Sequence, residues 1–291
     1  MIKRIHYQNI DFSKYNICIE NSVQKNFYAR KDILDHLCDT WELLVEGDYK
    51  SVMPIPIRKK YGVKVVIMPL FCQQLGIFSS ENSPGKEQAF LEFLSSNCRV
   101  AYYAFNYQNS FEDSLKLRKN YFIEKTEYSL LRKGYFKGRK STVKVAQYLQ
   151  FKEISLEEEL NFIQNNFKGL EKKGDLAKFF TYLNFLDENH QLRIFASYKE
   201  NTITNAAIII SQDDSFSLLG LINHEEFKQD NGASFLIDKI LKDYIQEKSF
   251  NFMGSSIRGI EVFFKSFGSQ LQEYAVVENS KLDLAKNIFK K

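Results

Sequence analysis

The chain has 291 residues, of which 44% are hydrophobic and 26% are charged. This composition is typical of a folded soluble protein and, with only 13 glycines and 4 prolines, excludes collagen-like and low-complexity sequences. The net charge of +4 indicates no particular partner, because dedicated DNA-binding domains are usually more basic, and we expect no DNA binding. The length predicts two domains.

The first residues of the chain, its apolar stretches and its cysteines indicate where in the cell the protein is expected. Residues 1–6 become polar too early for a secretory signal, and no stretch approaches 18 apolar residues, so we expect a cytoplasmic protein without a membrane span. Neither the scattered cysteines nor the four histidines show the spacing of a metal site or a disulfide framework. The cysteines are Cys18, Cys38, Cys72 and Cys98.

The first half of the chain alternates between turn signals and apolar or β-branched runs, which is typical of strands. One later run, which begins with proline, predicts a helix. The predicted strands are 41–46, 51–57, 63–68, 100–105 and 121–131, and the predicted helix is 84–95.

A basic segment, 132–144, follows these elements and contains six cations and no acid. Gly134 within it marks the predicted boundary between two domains, 1–133 and 134–291. Such charge runs are usually solvated, and a linker leading into a basic helix is one interpretation. The other is contact with phosphate or an RNA backbone, because cations interleaved with aromatic rings suit polyanions.

The second half repeats the element order of the first. Its predicted helices are 156–167, 176–186, 231–248 and 257–266, and its predicted strands are 192–198, 202–210, 215–222, 250–253 and 271–277. In both halves the first strand and the strand after the helix begin 58 residues apart, from Trp41 to Arg99 and from Leu192 to Phe250. The order therefore predicts two similar α/β domains.

Familiar catalytic motifs are missing: the sequence contains no G-x-G-x-x-G, P-loop or H-E-x-x-H motif, and no catalytic residue can be named. The most informative segment is 229–234, at the start of a predicted helix. Helix N-termini bind phosphates, and a glycine there lets the backbone approach an anion. The alternatives are capping by Asp230 and tight packing at Gly232.

This segment resembles the acetyl-coenzyme A motif of the GNAT acyltransferases, Q/R-x-x-G-x-G/A, with Gln229, Gly232 and Ser234 in its frame. In that family the loop and the helix start hold the pyrophosphate of the donor. The resemblance implies a cofactor-binding role for Gln229, Asn231, Gly232, Ala233 and Ser234.

A second resemblance covers most of the chain. Residues 251–255, 259–260 and 264–268 resemble the C-terminal signature of the FemAB-like transferases, in which Asn251 stands where an acid is common. Residues 137–146 are similar to the basic segment that opens the second domain of that family, and 73–78 to a segment of its bacterial members. The resemblance implies an α/β fold with two tandem GNAT-like domains and mixed central sheets.

The same resemblance implies candidate substrate contacts in both halves. They are Gln73, Gln74, Tyr103, Asn106, Arg139, Ser255, Arg258 and Lys265. Ordinary roles compete for several of them: core packing for one tyrosine of the pair 102–103, a cap for Ser255, and a surface cation for Arg258. The nearest acids to the donor site, Glu225 and Glu226, are equally consistent with surface carboxylates.

The resemblance implies an acyl- or aminoacyl-transferase that forms an amide on an amine acceptor. The acceptor would be a small molecule or peptide, such as a cell-envelope precursor. The donor would be acyl-coenzyme A or aminoacyl-tRNA, used as a co-substrate rather than a tightly bound cofactor, so tRNA is a candidate partner. An acyl-coenzyme A N-acetyltransferase and a non-catalytic binding protein on a degenerate scaffold are the alternatives.

Overall fold

The computed structural model describes residues 1–60, 62–81, 83–170, 172–254 and 257–286. The chain forms two compact units. The first contains Met1–Arg118 and Glu273–Lys291, and the second contains Lys119–Gln272. The domain boundary predicted from the sequence, 133/134, falls inside the second of these units.

The elements up to the end of the first predicted domain are strands with three helices between them. They are β1 (Ile2–His6), α1 (Phe12–Asn21), α2 (Lys31–Leu37), β2 (Thr40–Glu46), β3 (Ser51–Lys60), β4 (Val63–Ile67), β5 (Phe78–Ser79), α3 (Pro84–Asn97), β6 (Val100–Ala104) and β7 (Lys116–Ile123).

The remaining elements repeat this alternation. They are α4 (Tyr128–Gly134), α5 (Lys137–Val145), β8 (Gln150–Ile154), α6 (Leu156–Asn166), α7 (Lys173–Glu188), β9 (Leu192–Lys199), β10 (Thr202–Ser211), β11 (Ser215–Asn223), α8 (Gly232–Tyr244), β12 (Ser249–Asn251), α9 (Arg258–Lys265), β13 (Gln270–Glu278) and α10 (Lys281–Lys286). A 3₁₀ helix, Glu225–Asp230, leads into α8.

The two units have the same strand topology. The order in the first is β1-β2-β3-β4-β6-β13, with β5 paired to β3, and in the second it is β8-β9-β10-β11-β12-β7. One pair in each unit is parallel, β4 with β6 and β11 with β12, and the other neighbours along these two orders are antiparallel. The predicted α/β fold with two similar mixed sheets is therefore confirmed.

Two predictions about strands are wrong. The run 121–131 is not one strand, because β7 ends at Ile123 and α4 begins at Tyr128 after the polar residues 124–127. The last strand does not complete the second unit: Val276 of β13 pairs with Ala104 of β6 in the first unit. Elements β1, α1, α2 and β8 were not predicted from the sequence.

In the second unit, helices cover both faces of the sheet. On one face, α8 packs its buried residues against Phe195, Ala207 and Ile209. On the other face, α6 contacts β11 and α7 contacts β9. The alternation of side chains along β10 accounts for this arrangement, because successive residues point to opposite faces. Among the described residues, every helix is too short or too polar to cross a membrane.

Candidate functional site

The residue that precedes helix α8 has the left-handed backbone conformation, and its side chain does not cap the helix. Asn231 has φ 58° and ψ 26°, and its Nδ2 donates a hydrogen bond to the Gln229 carbonyl oxygen at 3.1 Å. The side chain of Asn231 caps no helix amide. Since the first-turn N–H groups of a helix have no intrahelical acceptor, those of Gly232 and Ala233 suit an anion.

Asp230 does not cap α8, contrary to one alternative from the sequence. Its Oδ2 accepts a hydrogen bond from Lys199 Nζ at 3.0 Å. This bond to the ammonium group, with a smaller contribution from the Tyr148 hydroxyl, lowers the pKa of Asp230. The carboxylate is therefore directed to the end of β9 and leaves the helix start without a competing acid.

Gly232 is required by packing. A Cβ added at this position would lie 1.7 Å from Asn205 Oδ1 and 3.1 Å from Ser197 Oγ. No other residue type fits without displacing Asn205. The packing alternative is thus correct for Gly232, and it places the helix start directly over β9 and β10.

Beneath Gly232 lies a buried polar network that sequence analysis missed. Ser197 Oγ lies 2.8 Å from Thr204 Oγ1 and donates to Asn205 Oδ1 at 3.2 Å. Asn205 Nδ2 in turn donates to Asn223 Oδ1 at 2.6 Å. The signal was available, because asparagine is depleted in strands, and Asn205 interrupts the apolar sequence of β10 while Asn223 ends that of β11. The network holds β9, β10 and β11 in register under α8.

Arg139 of α5 lies beside the first turn of α8. Its guanidinium carbon is 4.3 Å from the ring centroid of Phe263 and 4.7 Å from that of Phe267. Nε donates to Ser266 Oγ at 2.7 Å, and Nη1 donates to Ser234 Oγ. No carboxylate of the described residues forms an ion pair with Arg139.

Within the described part of the chain, no acid therefore balances the charge of Arg139. Burial lowers its pKa to about 10, so the guanidinium remains charged at neutral pH. A half-buried cation surrounded by hydroxyl groups and rings attracts an anion, and its planar fork suits phosphate. We call Arg139, Gly232, Ala233 and Ser234 the α8 anion site.

Strand β11 continues beyond the end of β12, toward the 3₁₀ helix that precedes α8. Their parallel pairing covers Ser215, Phe216 and Ser217, whereas β11 continues to Asn223. The register between β10 and β11 also shifts, which leaves Leu219 as an extra residue in β11. Beyond Ser217, β11 has no partner in β12, because β12 ends at Asn251. The bulge bends β11 in this part of the strand.

The turn after β12 depends on Asn251, where the FemAB-like signature commonly has an acid. Asn251 Oδ1 accepts a hydrogen bond from the Met253 amide at 2.8 Å. Met253 and Gly254 follow with φ values of 58° and 115°, and the Gly254 amide donates to Asn120 Oδ1 at 2.9 Å. Asn251 thus stabilises a strained turn. The predicted contact Ser255 lies outside the described residues.

The structure places Lys265 in an ion cluster. Its Nζ lies 2.7 Å from Glu261 Oε1, which also accepts hydrogen bonds from Tyr121 Oη at 2.7 Å and Lys119 Nζ at 3.0 Å. These partners, Lys265 foremost, lower the pKa of Glu261 to about 2. Arg258, by contrast, is exposed at the first residue of α9.

In the first unit, Tyr103 is fully buried and both roles of its hydroxyl are used internally. Oη donates to the Pro54 carbonyl oxygen at 2.9 Å and accepts from the Gly76 amide at 3.0 Å. Gly76 has φ 118°, and a Cβ there would lie 2.2 Å from Asn109 Oδ1. Core packing is correct for this tyrosine, and its role as a substrate contact stays a prediction.

The remaining predicted contacts of this unit also hold the loop after β4. Gln74 Oε1 accepts from the Tyr107 amide at 2.9 Å, and Gln74 Nε2 lies 3.5 Å from Gln73 Oε1. Asn106 Nδ2 donates to the Gln24 carbonyl oxygen at 2.8 Å. These bonds bring Gln73, Gln74 and Asn106 together, and their roles toward a substrate stay predictions.

No protein-family model matches the chain, and no curated protein matches it. Solved structures do. The chain is similar to the crystal structure of FemX with a TM-score of 0.64 and 10% identity, over 94% of this chain and 96% of FemX. The chain has a FemAB-like, tandem GNAT-like fold.

Two further solved structures share this fold. A tandem GNAT protein from the clavulanic acid biosynthesis pathway has a TM-score of 0.56 and 7% identity, over 95% of this chain and 97% of that protein. The C-terminal domain of a putative lysylphosphatidylglycerol synthetase from Agrobacterium fabrum has a TM-score of 0.50 and 9% identity, over 96% of this chain and 94% of that domain.

Proposed function

We propose that the protein is an acyl- or aminoacyl-transferase whose donor binds the second unit. The observation that carries this proposal is the α8 anion site, together with the part of β11 that extends beyond the end of β12. A phosphate of the donor would bind the amides of Gly232 and Ala233 and the guanidinium of Arg139. The acyl arm would lie along β11 beyond Ser217, where backbone groups are available to orient it.

The chemistry is amide formation on an amine acceptor. A neutral amine attacks the acyl carbonyl carbon, the bond from that carbon to the thiol or ribose oxygen of the donor breaks, and the leaving group takes the proton lost by the amine. Binding and orientation supply much of the rate in such a site. None of the described residues is assigned as a base.

The leading version uses aminoacyl-tRNA as donor and a peptide-like acceptor, such as a cell-envelope precursor. It is supported by the similarity to FemX across the whole chain and by the exposed lysines near Arg139, which suit an RNA backbone. Acyl-coenzyme A is the alternative donor, supported by the similarity to the tandem GNAT protein, whose solved structure is its form without acetyl-coenzyme A. A non-catalytic binding protein is the third candidate, because Asn251 replaces the acid that is common at this position and its side chain stabilises a turn.

The substitution Ala233→Asp tests the phosphate contact. A carboxylate in the first turn of α8 favours the helix through its dipole but repels an anion at the same amides. We expect the affinity for the donor, measured by calorimetry with acetyl-coenzyme A, desulfo-coenzyme A and aminoacyl-tRNA in turn, to fall at least about tenfold. The neutral control Ala233→Asn should bind nearly as the parent does. Equal affinity of the Asp variant for the donor would contradict the proposed site.

The two donors are distinguished by salt. Affinity for tRNA should fall steeply as salt is raised and should weaken in Arg139→Gln and Lys140→Gln, because each phosphate contact releases counterions. Coenzyme A binding should depend on Arg139 but not on Lys140, which is not part of the α8 anion site. Binding of neither donor by the parent protein would favour the non-catalytic candidate.

A further inference from the structure

Helix α6 buries a carboxyl group for which the structure provides no partner. Glu159 is 0% exposed, and neither of its oxygens has a hydrogen-bond partner among the described residues. It lies on the buried face of α6, between Leu156 and Ile163. An ionised carboxylate in this position is costly, so the packed helix favours the protonated acid.

Few titratable groups surround Glu159. On its own helix, Glu158 is exposed and lies 3.7 Å from Lys152 of β8. The titratable groups coupled electrostatically to Glu159 among the described residues are Glu158 and Tyr198 of β9. Tyr182 of α7 is buried, and His224 stacks on Phe162. The acids of α7 are Asp175, Asp187 and Glu188. The cations on these elements are paired with other acids or exposed. Lys152 lies beside Glu158, Arg193 pairs with Glu153, Lys199 pairs with Asp230, and Lys178 is exposed on α7.

The segment from α6 to Lys168 also holds the chain that leads into α8. The ring of Phe162, one turn from Glu159, stacks on His224 with centroids 6.2 Å apart. His224 Nδ1 accepts from the Glu226 amide at 3.3 Å and so caps the 3₁₀ helix. At the other end, Lys168 Nζ pairs with Glu225 Oε2. We call residues 156–168 the α6 strap.

We propose that the α6 strap is a pH-sensitive latch, closed on residues 224–231 while Glu159 is protonated and released when Glu159 ionises. Opening exposes the carboxyl group to water and frees the 3₁₀ helix from Phe162 and Lys168. Because only Asn231 separates the end of that 3₁₀ helix at Asp230 from the start of α8 at Gly232, release loosens the approach to the helix start. The latch itself is independent of the proposed function.

The sign of the effect follows from linkage. Burial, with a smaller contribution from Glu158, raises the pKa of Glu159 to about 8 in the closed state. An exposed glutamate has a pKa of about 4.3. Between these values the open form has lost its proton and the closed form has not. The opening constant should therefore increase about tenfold per pH unit and level off above pH 8.

Hydrogen exchange on the full chain tests the latch without any donor. After correction for intrinsic exchange rates, protection of residues 156–168 and 224–231 should fall about tenfold from pH 6 to pH 7 and about fivefold from pH 7 to pH 8. In Glu159→Gln, which stays neutral, the protection of both segments should be independent of pH. Glu158→Gln is the matched control on the same helix and should keep the slope of the parent.

Two results would overturn the latch: a slope retained in Glu159→Gln, or a slope in 156–168 that 224–231 does not follow. If the glutamine fails to fold, Glu159→Met gives the same test, since it fills similar volume without a polar group. It too should exchange independently of pH, and it should be more protected than the parent at pH 8.

Discussion

Packing and binding make different demands on neighbouring residues at the start of α8. Gly232 is needed because Asn205 occupies the space of its Cβ, whereas Ala233 is half-buried and its side chain can change. A bulky substitution at Gly232 therefore tests folding rather than donor binding. Substitutions at these two positions therefore distinguish packing from donor binding, which the sequence motif does not.

Gly232→Ala should lower the free energy of unfolding by about 1–3 kcal/mol, because the new methyl group overpacks the contact with Asn205. The measurement is denaturant unfolding of the parent, Gly232→Ala, Asn205→Ala and the double variant. The double variant should be more stable than the sum of the two single losses predicts, since removing the amide makes room for the methyl group. If the two losses of unfolding free energy were strictly additive, the new methyl group would be accommodated by the movement of residues other than Asn205.

At the scale of elements, the pattern of apolar residues predicts most of the second unit. Strands β9, β10 and β11 are long alternating or apolar runs bounded by turns, and their bounds match the sequence within a residue or two. The run 121–131 misled because apolar residues on both sides of 124–127 read as one strand. The bulge in β11 and the end of its pairing with β12 at Ser217 could not be predicted, because both depend on pairing between separate segments of the chain.

The turn after β12 gives a test at this scale. Asn251→Ala removes the acceptor of the Met253 amide, so we expect the free energy of unfolding to fall by about 1 kcal/mol. Asn251→Asp keeps an oxygen in the same place and should stay within about 0.5 kcal/mol of the parent. Denaturant unfolding of the three proteins decides. An aspartate as destabilising as alanine would show that the Asn251 side chain acts through its amide nitrogen instead.

At the scale of the whole molecule, each unit is completed by a strand from the other half of the sequence. Ile123 of β7 pairs with Phe250 of β12 in the second unit. Glu278 of β13 lies in the first unit and accepts bonds from Lys116 and Arg118. The sequence repeat indicates two similar folds, but it does not show this exchange, because strand partners are not encoded in element order.

The exchange predicts how fragments of the chain will behave. Residues 134–291 lack β7 and leave β12 with an unpaired edge, so this fragment should not unfold cooperatively. Residues 119–272 retain the part of β7 that pairs with β12, together with β8 to β11, and should unfold cooperatively when heated. Circular dichroism melting curves of the two fragments provide the comparison.

Mixing 1–133 with 134–291 should restore a cooperative transition, since the mixture contains both exchanged strands. Cooperative unfolding of 134–291 alone would show that β7 is dispensable, and that the boundary at 133/134 separates two self-sufficient domains.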